Sequence, residues 1–350
     1  MGVFLVSFIS STLLSLAAVA YLLRLAHKKA WYDRISERNI HKGNVPRLGG
    51  IGFGLVFIVI FSVSLFAGKR ETEGQFLAAI FALLVIIFSG VRDDFIAMRA
   101  RSKLLFQSLA ALCVIIPGYV FVRIICIENI GILSDLQLIS IPITIIWIVG
   151  ITNAVNLIDG VDGLAGGLSA LIVFFFGIIF FLYAYSSMPL LFSVSLFGAI
   201  LGFMFFNAPL PKAKIFMGDG GSQFLGFSLA LLPLLKSNNP AALPVLYAAA
   251  LLAIPILDTV AVTWGRIRDG KKIYVSDKSH IHHKLLNLGF SAKGVNALLY
   301  SLQIILGILV LLAIGKEGFA SLYLLGAAFF AATVFFVVVH FLNRKQKNAK

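Results

Sequence analysis

The sequence has few charged residues and almost no cysteine. Only 13% of its 350 residues are charged, whereas 60% are hydrophobic and the mean hydropathy is +0.99. This composition excludes an ordinary soluble domain and indicates a protein of the lipid bilayer. The two cysteines form neither a disulfide framework nor a cysteine metal site, because Cys113 falls in an apolar run and Cys126 lies just beyond it.

Acidic residues are also scarce, with 15 Asp and Glu against 29 Lys and Arg, for a net charge of +14. The sequence has no separate basic domain that could bind a nucleic-acid duplex. We therefore attribute the excess to membrane topology, to attraction to anionic lipid headgroups and to an anionic substrate. The lack of internal repeats and linkers predicts a single domain over residues 1–350.

Long apolar runs fill most of the chain. A helix needs roughly 20 apolar residues to cross a hydrocarbon core about 30 Å thick. The first run has no basic segment before it, which predicts a retained helix and not a cleaved signal peptide. We predict an all-α, polytopic integral membrane protein with eleven spans, at 3–23, 50–67, 75–91, 104–122, 137–153, 167–185, 188–206, 220–235, 242–263, 296–315 and 319–342.

The basic residues predict the orientation of these spans. One alternating set of loops, together with the C-terminal tail, carries 24 of the 29 Lys and Arg. Basic residues in short loops stay on the cytoplasmic side. The N-terminus is therefore predicted outside and the C-terminus inside. Almost all polar clusters then fall on the cytoplasmic face, in five motifs.

The first motif is NIHKGNVPRLGGIGFG, residues 39–54. Its glycines suit close helix packing or a tight approach to a ligand, and Arg47 could meet a phosphate. A helix-packing face with a topology-determining arginine explains the same residues.

The second motif is GVRDDFIAMRARSKLLFQ, residues 90–107. Asp93 and Asp94 point about 100° apart on a helix and need not share a role. Adjacent carboxylates at a membrane face suit Mg²⁺ held by one or two carboxylates and substrate phosphates. They could instead pair with the nearby arginines.

The third motif is ITNAVNLIDGVDGLAGG, residues 151–167. Asn153 and Asn156 are three residues apart, as are Asp159 and Asp162, so each pair can share a helix face. The glycines that follow indicate that the helix breaks here. No Lys or Arg is nearby, so a cation or a sugar is the expected partner of these polar groups.

The fourth motif is PKAKIFMGDGGSQFLG, residues 211–226, with Asp219 in a glycine-rich turn before a span. An Asp at such a turn can hold a metal, and the backbone amides can cradle an anion. Alternatively, Asp219 or Ser222 caps the helix that follows.

The fifth motif is SDKSHIHHKLLNLGFS, residues 276–291. His280, His282 and His283 could bind Zn²⁺, but the lack of cysteine and the many carboxylates favour a hard cation elsewhere. Contacts to phosphate or sugar hydroxyls fit better. Pro255 and Asp258 also place a kink and an ionisable group inside the ninth span.

Taken in order, HKGNVPRLGG, DDFIAMRARSK, NAVNLIDGVDGLAGG, FMGDGGS and SHIHHKLL resemble the polyprenyl-phosphate N-acetylhexosamine-1-phosphate transferase family over residues 41–290. The eleven spans and HIHH resemble its bacterial undecaprenyl-phosphate GlcNAc-1-phosphate transferase branch. The peptidoglycan-precursor translocase typically has three consecutive histidines, so Ile281 argues against it.

The resemblance implies transfer of a sugar 1-phosphate from a UDP-N-acetylhexosamine to undecaprenyl phosphate in a bacterial inner membrane. UMP would leave, and Mg²⁺ or Mn²⁺ would be required. GlcNAc is the default sugar, with GalNAc, QuiNAc and FucNAc left open. The downstream polymer, such as O-antigen, capsule or teichoic acid, is also left open. So are the presence of a homodimer and the choice between direct displacement and a covalent intermediate.

The resemblance further assigns roles residue by residue. Asp93 and Asp94 match an acidic pair, with Asp93 the candidate base toward the lipid phosphate. Asp159 and Asp162 match an acidic pair near the nucleotide and sugar. The remaining matches are Asn156 and Asp219 as metal ligands, and Lys103, His280, His282 and His283 as substrate-binding residues, to which the residues themselves add Arg47 and Asn153.

Two rival classes remain. A secondary transporter also uses broken helices and ionisable groups in the membrane, but its site lies at the midplane between matching halves. Membrane prenyltransferases and alcohol phosphatidyltransferases use aspartate-rich Mg²⁺ sites. DDFIA lacks the second-turn aspartate of the former, and DGVDGLAGG lacks the downstream aspartates of the latter.

Overall fold

The computed structural model describes residues 2–32, 45–67, 74–121, 139–182, 187–208, 210, 212–235, 245–272, 279–316 and 318–348. Cys126 and the beginnings of the first, fourth and fifth motifs lie outside these ranges, as do the ends of several predicted spans. Thirteen α-helices account for nearly all of the described residues. The predicted all-α class is confirmed.

The helices follow one another with short connections. Their bounds are α1 Gly2–Lys29, α2 Gly49–Ala67, α3 Gly74–Phe95, α4 Ala100–Ile115, α5 Ser140–Ile158, α6 Leu164–Leu182, α7 Ser187–Asn207, α8 Gly218–Leu231, α9 Val245–Leu251, α10 Ala253–Arg268, α11 Ile281–Asn287, α12 Ala292–Ile314 and α13 Gly318–Asn348. A 3₁₀ turn, Leu232–Leu234, extends α8.

Every predicted span coincides with one of these helices or with a helix pair. Among the described residues, eight helices are long and apolar enough to cross a membrane: α1, α2, α3, α5, α6, α7, α12 and α13. The pair α9 and α10 makes a ninth if it is one broken span. At 16 and 14 residues, α4 and α8 fall short of full spanning length. The chain is thus a multi-pass membrane protein, whereas the count of eleven and the orientation stay predictions.

The ninth predicted span is bent by 82° between α9 and α10. The bend lies at Leu252, and Pro255 follows in the first turn of α10. A proline is tolerated in a first turn, where its missing N–H has no helical partner to lose. The predicted kink is therefore present, but it lies three residues before the proline.

The helix α8 is the centre of the bundle. It packs against α3 and α5 above all, and also against α2 and α6. Every residue of α8 is buried except Asp219 in its first turn. The acidic end of α8 is thus the one part of this helix that solvent can reach.

Glycine-to-glycine contacts bring the neighbouring helices close to the start of α8. A Cβ on Gly50 would overlap the backbone of Gly221, and one on Gly90 would overlap that of Gly220. Only glycine permits such a backbone approach. For the glycines of the first motif, the helix-packing interpretation is therefore the one that the structure supports.

Candidate active site

Four helices bring charged and amide side chains together at the start of α8. Lys103, on α4, donates from Nζ to Oδ2 of Asp219 at 2.8 Å and also forms an ion pair with Asp93 on α3. Asn156, on α5, donates to Oδ1 of Asp219 at 3.3 Å. The side chains of Lys103 and Asp219 are 24% and 29% exposed, so a ligand can reach them. We call Asp93, Lys103, Asn156 and Asp219 the carboxylate–lysine cluster.

Asp93 is the more enclosed carboxylate of the cluster. Its side chain is 3% exposed, and Oδ1 accepts the backbone N–H of Met98 at 2.6 Å. That bond closes the turn between α3 and α4, so the chain itself fixes the orientation of the carboxylate. Because Oδ1 of Asp93 is bound to the backbone, Oδ2 is the oxygen that faces Lys103.

Asp94 caps α8 from the neighbouring helix α3. Its two oxygens accept the backbone N–H groups of Asp219 at 2.7 Å and Gly220 at 3.0 Å. The first N–H groups of a helix lack partners within it, and a carboxylate there also meets the positive end of the helix dipole. The capping alternative for Asp219 or Ser222 is therefore wrong, since Asp94 supplies the cap from another helix.

Asn156 links α5 to the first turn of α8. Besides Asp219, its Nδ2 atom donates to Oγ of Ser222 at 2.7 Å, and that hydroxyl donates to the carbonyl oxygen of Gly218 at 3.0 Å. The amide is thus held on two sides. The structure places Asn156 beside Asp219, and a ligand shared by the two residues stays a prediction.

Asn153 lies one turn deeper, in a different network. Its Nδ2 atom donates to Oε1 of Gln107 at 2.6 Å, and Gln107 donates to Oε1 of Gln223 at 3.1 Å. This chain of amides joins α5, α4 and α8 below the carboxylate–lysine cluster. Gln107 and Gln223 were not singled out from the sequence, although a polar side chain in an apolar span is itself a signal.

Asp159 and Asp162 follow the end of α5 and occupy different surroundings. Removal from solvent raises the pKa of Asp159 to about 7, and the carboxylate of Asp219 acts in the same direction, whereas the Arg47 guanidinium opposes it. Asp162 is buried, and its Oδ2 atom accepts the backbone N–H of Ala213 at 3.4 Å. Asp162 therefore holds the segment that leads into α8.

The turn at Gly163 is anchored on three sides. Gly163 has a φ of +79°, its N–H donates to Asn207 at 3.0 Å, and its carbonyl oxygen accepts the hydroxyl of Tyr300 at 2.5 Å. Asn296 donates to the backbone oxygen of Asp162 at 2.8 Å. The glycines of the third motif thus let the chain turn, as predicted, and Asn207, Asn296 and Tyr300 are further polar residues that sequence reasoning missed.

His282 and His283 lie in the short helix α11, and His280 directly precedes it. Asp258 of α10 holds this helix at its start. One oxygen of Asp258 lies 2.8 Å from Nδ1 of His280, and the other accepts the backbone N–H of Ile281 at 2.7 Å. Asp258 is 1% exposed. Asp258, the ionisable group in the ninth predicted span, therefore positions α11, which we call the histidine helix.

His282 connects α11 to the third motif. Its ring lies so close to Gly160 that a Cβ at that position would overlap Nε2. The rings of His280 and His282 are stacked at 5.8 Å, and that of His283 lies 4.4 Å from His282. Burial lowers the pKa of His282 to about 3, so its imidazole is neutral near pH 7.

Arg47 lies on the segment just before α2, beside the start of α8. The carbonyl oxygen of Pro46 accepts the N–H of Phe216 at 2.7 Å, and the N–H of Gly49 donates to the carbonyl oxygen of Phe216 at 3.0 Å. The Arg47 side chain is exposed. The structure therefore places a solvent-accessible guanidinium at the edge of the carboxylate–lysine cluster.

The donor atoms fit a divalent ion only if a substrate completes its coordination. Within the described residues, no three His, Cys, Asp or Glu side chains are grouped as ligands of one ion. Asp219 offers carboxylate oxygens, and the neighbouring Asn156 amide, which donates to Asp219 from Nδ2, also carries an oxygen. Oxygen atoms are the ligands that Mg²⁺ prefers. Mg²⁺ commonly takes one or two protein carboxylates and fills its shell with phosphates and water.

Comparisons with known proteins identify relatives of this chain. The family model described as glycosyl transferase family 4 matches residues 76–237, which include the whole carboxylate–lysine cluster. The probable undecaprenyl-phosphate N-acetylglucosaminyl 1-phosphate transferase of Bacillus subtilis (strain 168) is 33% identical over 345 residues, covering 98% of this chain and 94% of the relative.

The chain belongs to glycosyl transferase family 4. Two further relatives place it in the branch named for polyprenyl-phosphate N-acetylglucosamine 1-phosphate transfer. The decaprenyl-phosphate N-acetylglucosaminephosphotransferase of Mycobacterium tuberculosis (strain ATCC 25618 / H37Rv) is 33% identical over 75% of this chain and 71% of its own length. The undecaprenyl-phosphate alpha-N-acetylglucosaminyl 1-phosphate transferase of Escherichia coli (strain K12) is 25% identical over 77% and 73%. The resemblance seen in the motifs is thereby confirmed.

Proposed function

We propose that this glycosyltransferase 4 chain transfers GlcNAc 1-phosphate from UDP-GlcNAc to undecaprenyl phosphate and releases UMP. The convergence of Asp93, Lys103, Asn156 and Asp219 from four helices carries the proposal. The names of the relatives support a polyprenyl phosphate acceptor and an N-acetylglucosamine phosphate group. Residues 1–350 act as one transferase unit, with the site on the cytoplasmic face of a bacterial inner membrane.

Phosphoryl transfer needs charge neutralisation and in-line placement more than covalent help. Lys103 provides part of that charge. Its ammonium has three N–H donors, of which two are directed at Asp93 and Asp219, so a third can serve a phosphate oxygen. Arg47 adds a second cation at the rim, suited to a bidentate phosphate contact.

Asp219 and Asn156 are the residues that would hold Mg²⁺ or Mn²⁺. When bound there, the ion supplies positive charge to the donor pyrophosphate and to the departing UMP. The Asn156 amide is already oriented by Ser222, and Asp94 fixes the backbone that carries Asp219. These contacts support the proposal that both side chains are held in place before a substrate arrives.

Asp93 faces the acceptor in this proposal. A phosphate monoester is largely ionised near neutral pH, so Asp93 orients the lipid phosphate through Lys103 and removes a residual proton. Asp159, whose pKa lies near 7, and the histidine helix act on the donor side. Asp162 supports that side by holding the segment before α8.

Purified protein incubated with undecaprenyl phosphate and Mg²⁺ tests the proposal. A panel of UDP-GlcNAc, UDP-GalNAc, UDP-QuiNAc and UDP-FucNAc is compared by UMP release and by radiolabel in the lipid extract. We expect lipid-linked product with UDP-GlcNAc. If only another UDP-sugar gives lipid-linked product, UDP-GlcNAc is not the donor. Solute uptake into vesicles without lipid product would favour a transporter.

A further inference from the structure

A cavity lies away from the carboxylate–lysine cluster. It is a partly open groove of about 880 Å³ between α10, α11 and α13. Its volume lies in the range, roughly 300–1,000 Å³, of pockets that hold small organic ligands. None of the residues that line it belongs to the carboxylate–lysine cluster, and none is one of the three histidines.

One wall of the groove is apolar and faces outward. Val260 and Trp264 of α10 are 57% and 68% exposed, and Val337 of α13 is 61% exposed. All three line the groove. Exposed apolar side chains at the depth of the bilayer contact acyl chains, and tryptophan is enriched at the level of the headgroups. The groove therefore opens toward lipid.

The other end of the groove is strongly basic. Five cationic side chains line it, against the single carboxylate of Asp269 among the described lining residues. That carboxylate already pairs with Arg268 at 3.1 Å and with Lys271 at 3.6 Å. The five are Arg266, Arg268, Lys271, Lys284 and Arg344.

We propose that this groove binds an anionic glycerophospholipid of the surrounding bilayer. Its phosphate lies between Lys284 of α11 and Arg344 of α13, and its acyl chains lie along Val260, Trp264 and Val337. A basic pocket between helices at the cytoplasmic side matches an anionic headgroup in charge, while the apolar wall matches the chains. A zwitterionic lipid lacks the net negative charge that the cationic excess requires.

The groove is joined to the histidine helix. Lys284, which lines the groove, lies on α11 two residues after His282, and its carbonyl oxygen accepts Nδ2 of Asn343 on α13 at 3.1 Å. A headgroup held by Lys284 and Arg344 therefore bridges the same two helices that this bond joins. Lipid binding adds a second link between α11 and α13.

Trp264 provides a direct readout of binding. The chain has three tryptophans. Trp147 is buried and donates to the carbonyl oxygen of Ala230 at 3.0 Å, so a Trp31→Phe background leaves Trp264 as the accessible fluorophore. The full chain is placed in phosphatidylcholine vesicles that contain a small fraction of brominated phosphatidylglycerol or brominated phosphatidylcholine. We expect brominated phosphatidylglycerol to quench Trp264 far more strongly at equal fraction.

The double variant Lys284→Gln/Arg344→Gln tests the basic end. Removal of two cations near a lipid phosphate should weaken the preference for phosphatidylglycerol roughly tenfold or more. The matched control, Lys28→Gln/Lys29→Gln, removes two exposed charges at the end of α1 and should keep the preference.

Three results would overturn the proposal. One is equal quenching by both lipids in the unaltered chain, and another is an equal loss of preference in the two double variants. The third is recovery of Trp264 fluorescence on adding undecaprenyl phosphate, which would make the groove a site for the acceptor lipid. None of these readouts depends on transferase activity, so failure here leaves the proposed function untouched.

Discussion

Lys103 Nζ lies 2.8 Å from Oδ2 of Asp219, although the two residues are 116 positions apart in the chain. The same ammonium pairs with Asp93, so one cation bridges carboxylates from α3 and α8. Asp94 adds a third carboxylate nearby, with both oxygens on the backbone at the start of α8. Further positive charge, from a divalent ion or from Arg47, is therefore favoured at this point.

We expect Asp219→Ala to abolish transfer and metal-dependent donor binding. The change removes a proposed metal ligand and the partner of Lys103 and Asn156. The loss of turnover should be roughly a thousandfold or more, measured as UMP release. Membrane insertion and the thermal midpoint serve as controls, and turnover retained in a folded variant would remove Asp219 from the metal site.

Asp93→Asn should slow transfer without weakening the binding of UDP-GlcNAc. The amide keeps an oxygen for the N–H of Met98 but loses the charge that meets Lys103. The rate is measured across pH with saturating donor, and donor binding by calorimetry. A rate that matches the unaltered enzyme at every pH would exclude a base role for this carboxylate.

Gly160→Ala tests the contact between the third motif and the histidine helix. The added methyl group would overlap Nε2 of His282, so the ring must move. A displacement of this kind costs roughly tenfold to a hundredfold in turnover, measured as UMP release at saturating donor.

Gly150→Ala is the matched control for that change. Gly150 lies within α5, and a Cβ there meets nothing within 4 Å. Alanine in a helix interior is favoured over glycine by about 0.5–1 kcal/mol, so full activity is expected. Equal turnover in both variants would show that the position of His282 does not matter for transfer.

Asp258→Ala should loosen the start of α11. It leaves the buried N–H of Ile281 without its acceptor and His280 without its carboxylate, at a cost of about 1–3 kcal/mol. We expect a lower thermal midpoint and a higher KM for the donor with a smaller change in kcat.

Ser291→Ala is the control for Asp258→Ala, because it lowers the stability of the fold without changing the position of α11. Ser291 caps α12 by accepting the N–H of Gly294 at 3.2 Å, and loss of such a cap costs about 1 kcal/mol. This variant should lower the thermal midpoint but leave the KM for the donor unchanged. If Asp258→Ala and Ser291→Ala raise the KM for the donor equally, Asp258 has no specific link to donor binding.

His282 should make the fold less stable in acid. Its folded pKa of about 3 lies below the ordinary value of 6.5, so the unfolded chain binds a proton that the folded chain resists. This contribution is complete above pH 6.5 and is lost as the pH falls toward 3. Thermal midpoints measured over that range should fall less steeply in His282→Gln, and identical slopes would contradict the assignment.

The apolar segments could be predicted from the sequence because bilayer thickness imposes a length on them. Each of the eleven meets a helix. Hydropathy does not distinguish protein from lipid around a helix, so the buried helix α8 resembles a span. The helix α4 keeps exposed apolar residues such as Leu105 and Leu109 but has only 16 residues. The bounds at 104–122 and 220–235 were accordingly longer than the helices found there.

The polar residues of the site could be predicted, but not their partners. Side-chain chemistry singled out Asp93, Lys103, Asn156 and Asp219, which the structure brings together. Asp94, by contrast, caps α8 across a tertiary contact that no sequence spacing reveals. The amide chain through Asn153 was hidden for the same reason, because Gln107 and Gln223 are also 116 positions apart.

The complete enclosure of α8 has a consequence for how this membrane transferase tolerates substitution. All of its residues except Asp219 are buried, so a larger or smaller side chain at any of them disturbs packing. Outward positions of α1, such as Leu5 and Leu13, are more than half exposed and should accept most apolar residues. In a library of single substitutions, neutral changes should become rarer with proximity to α8, whatever the hydrophobicity of the new side chain.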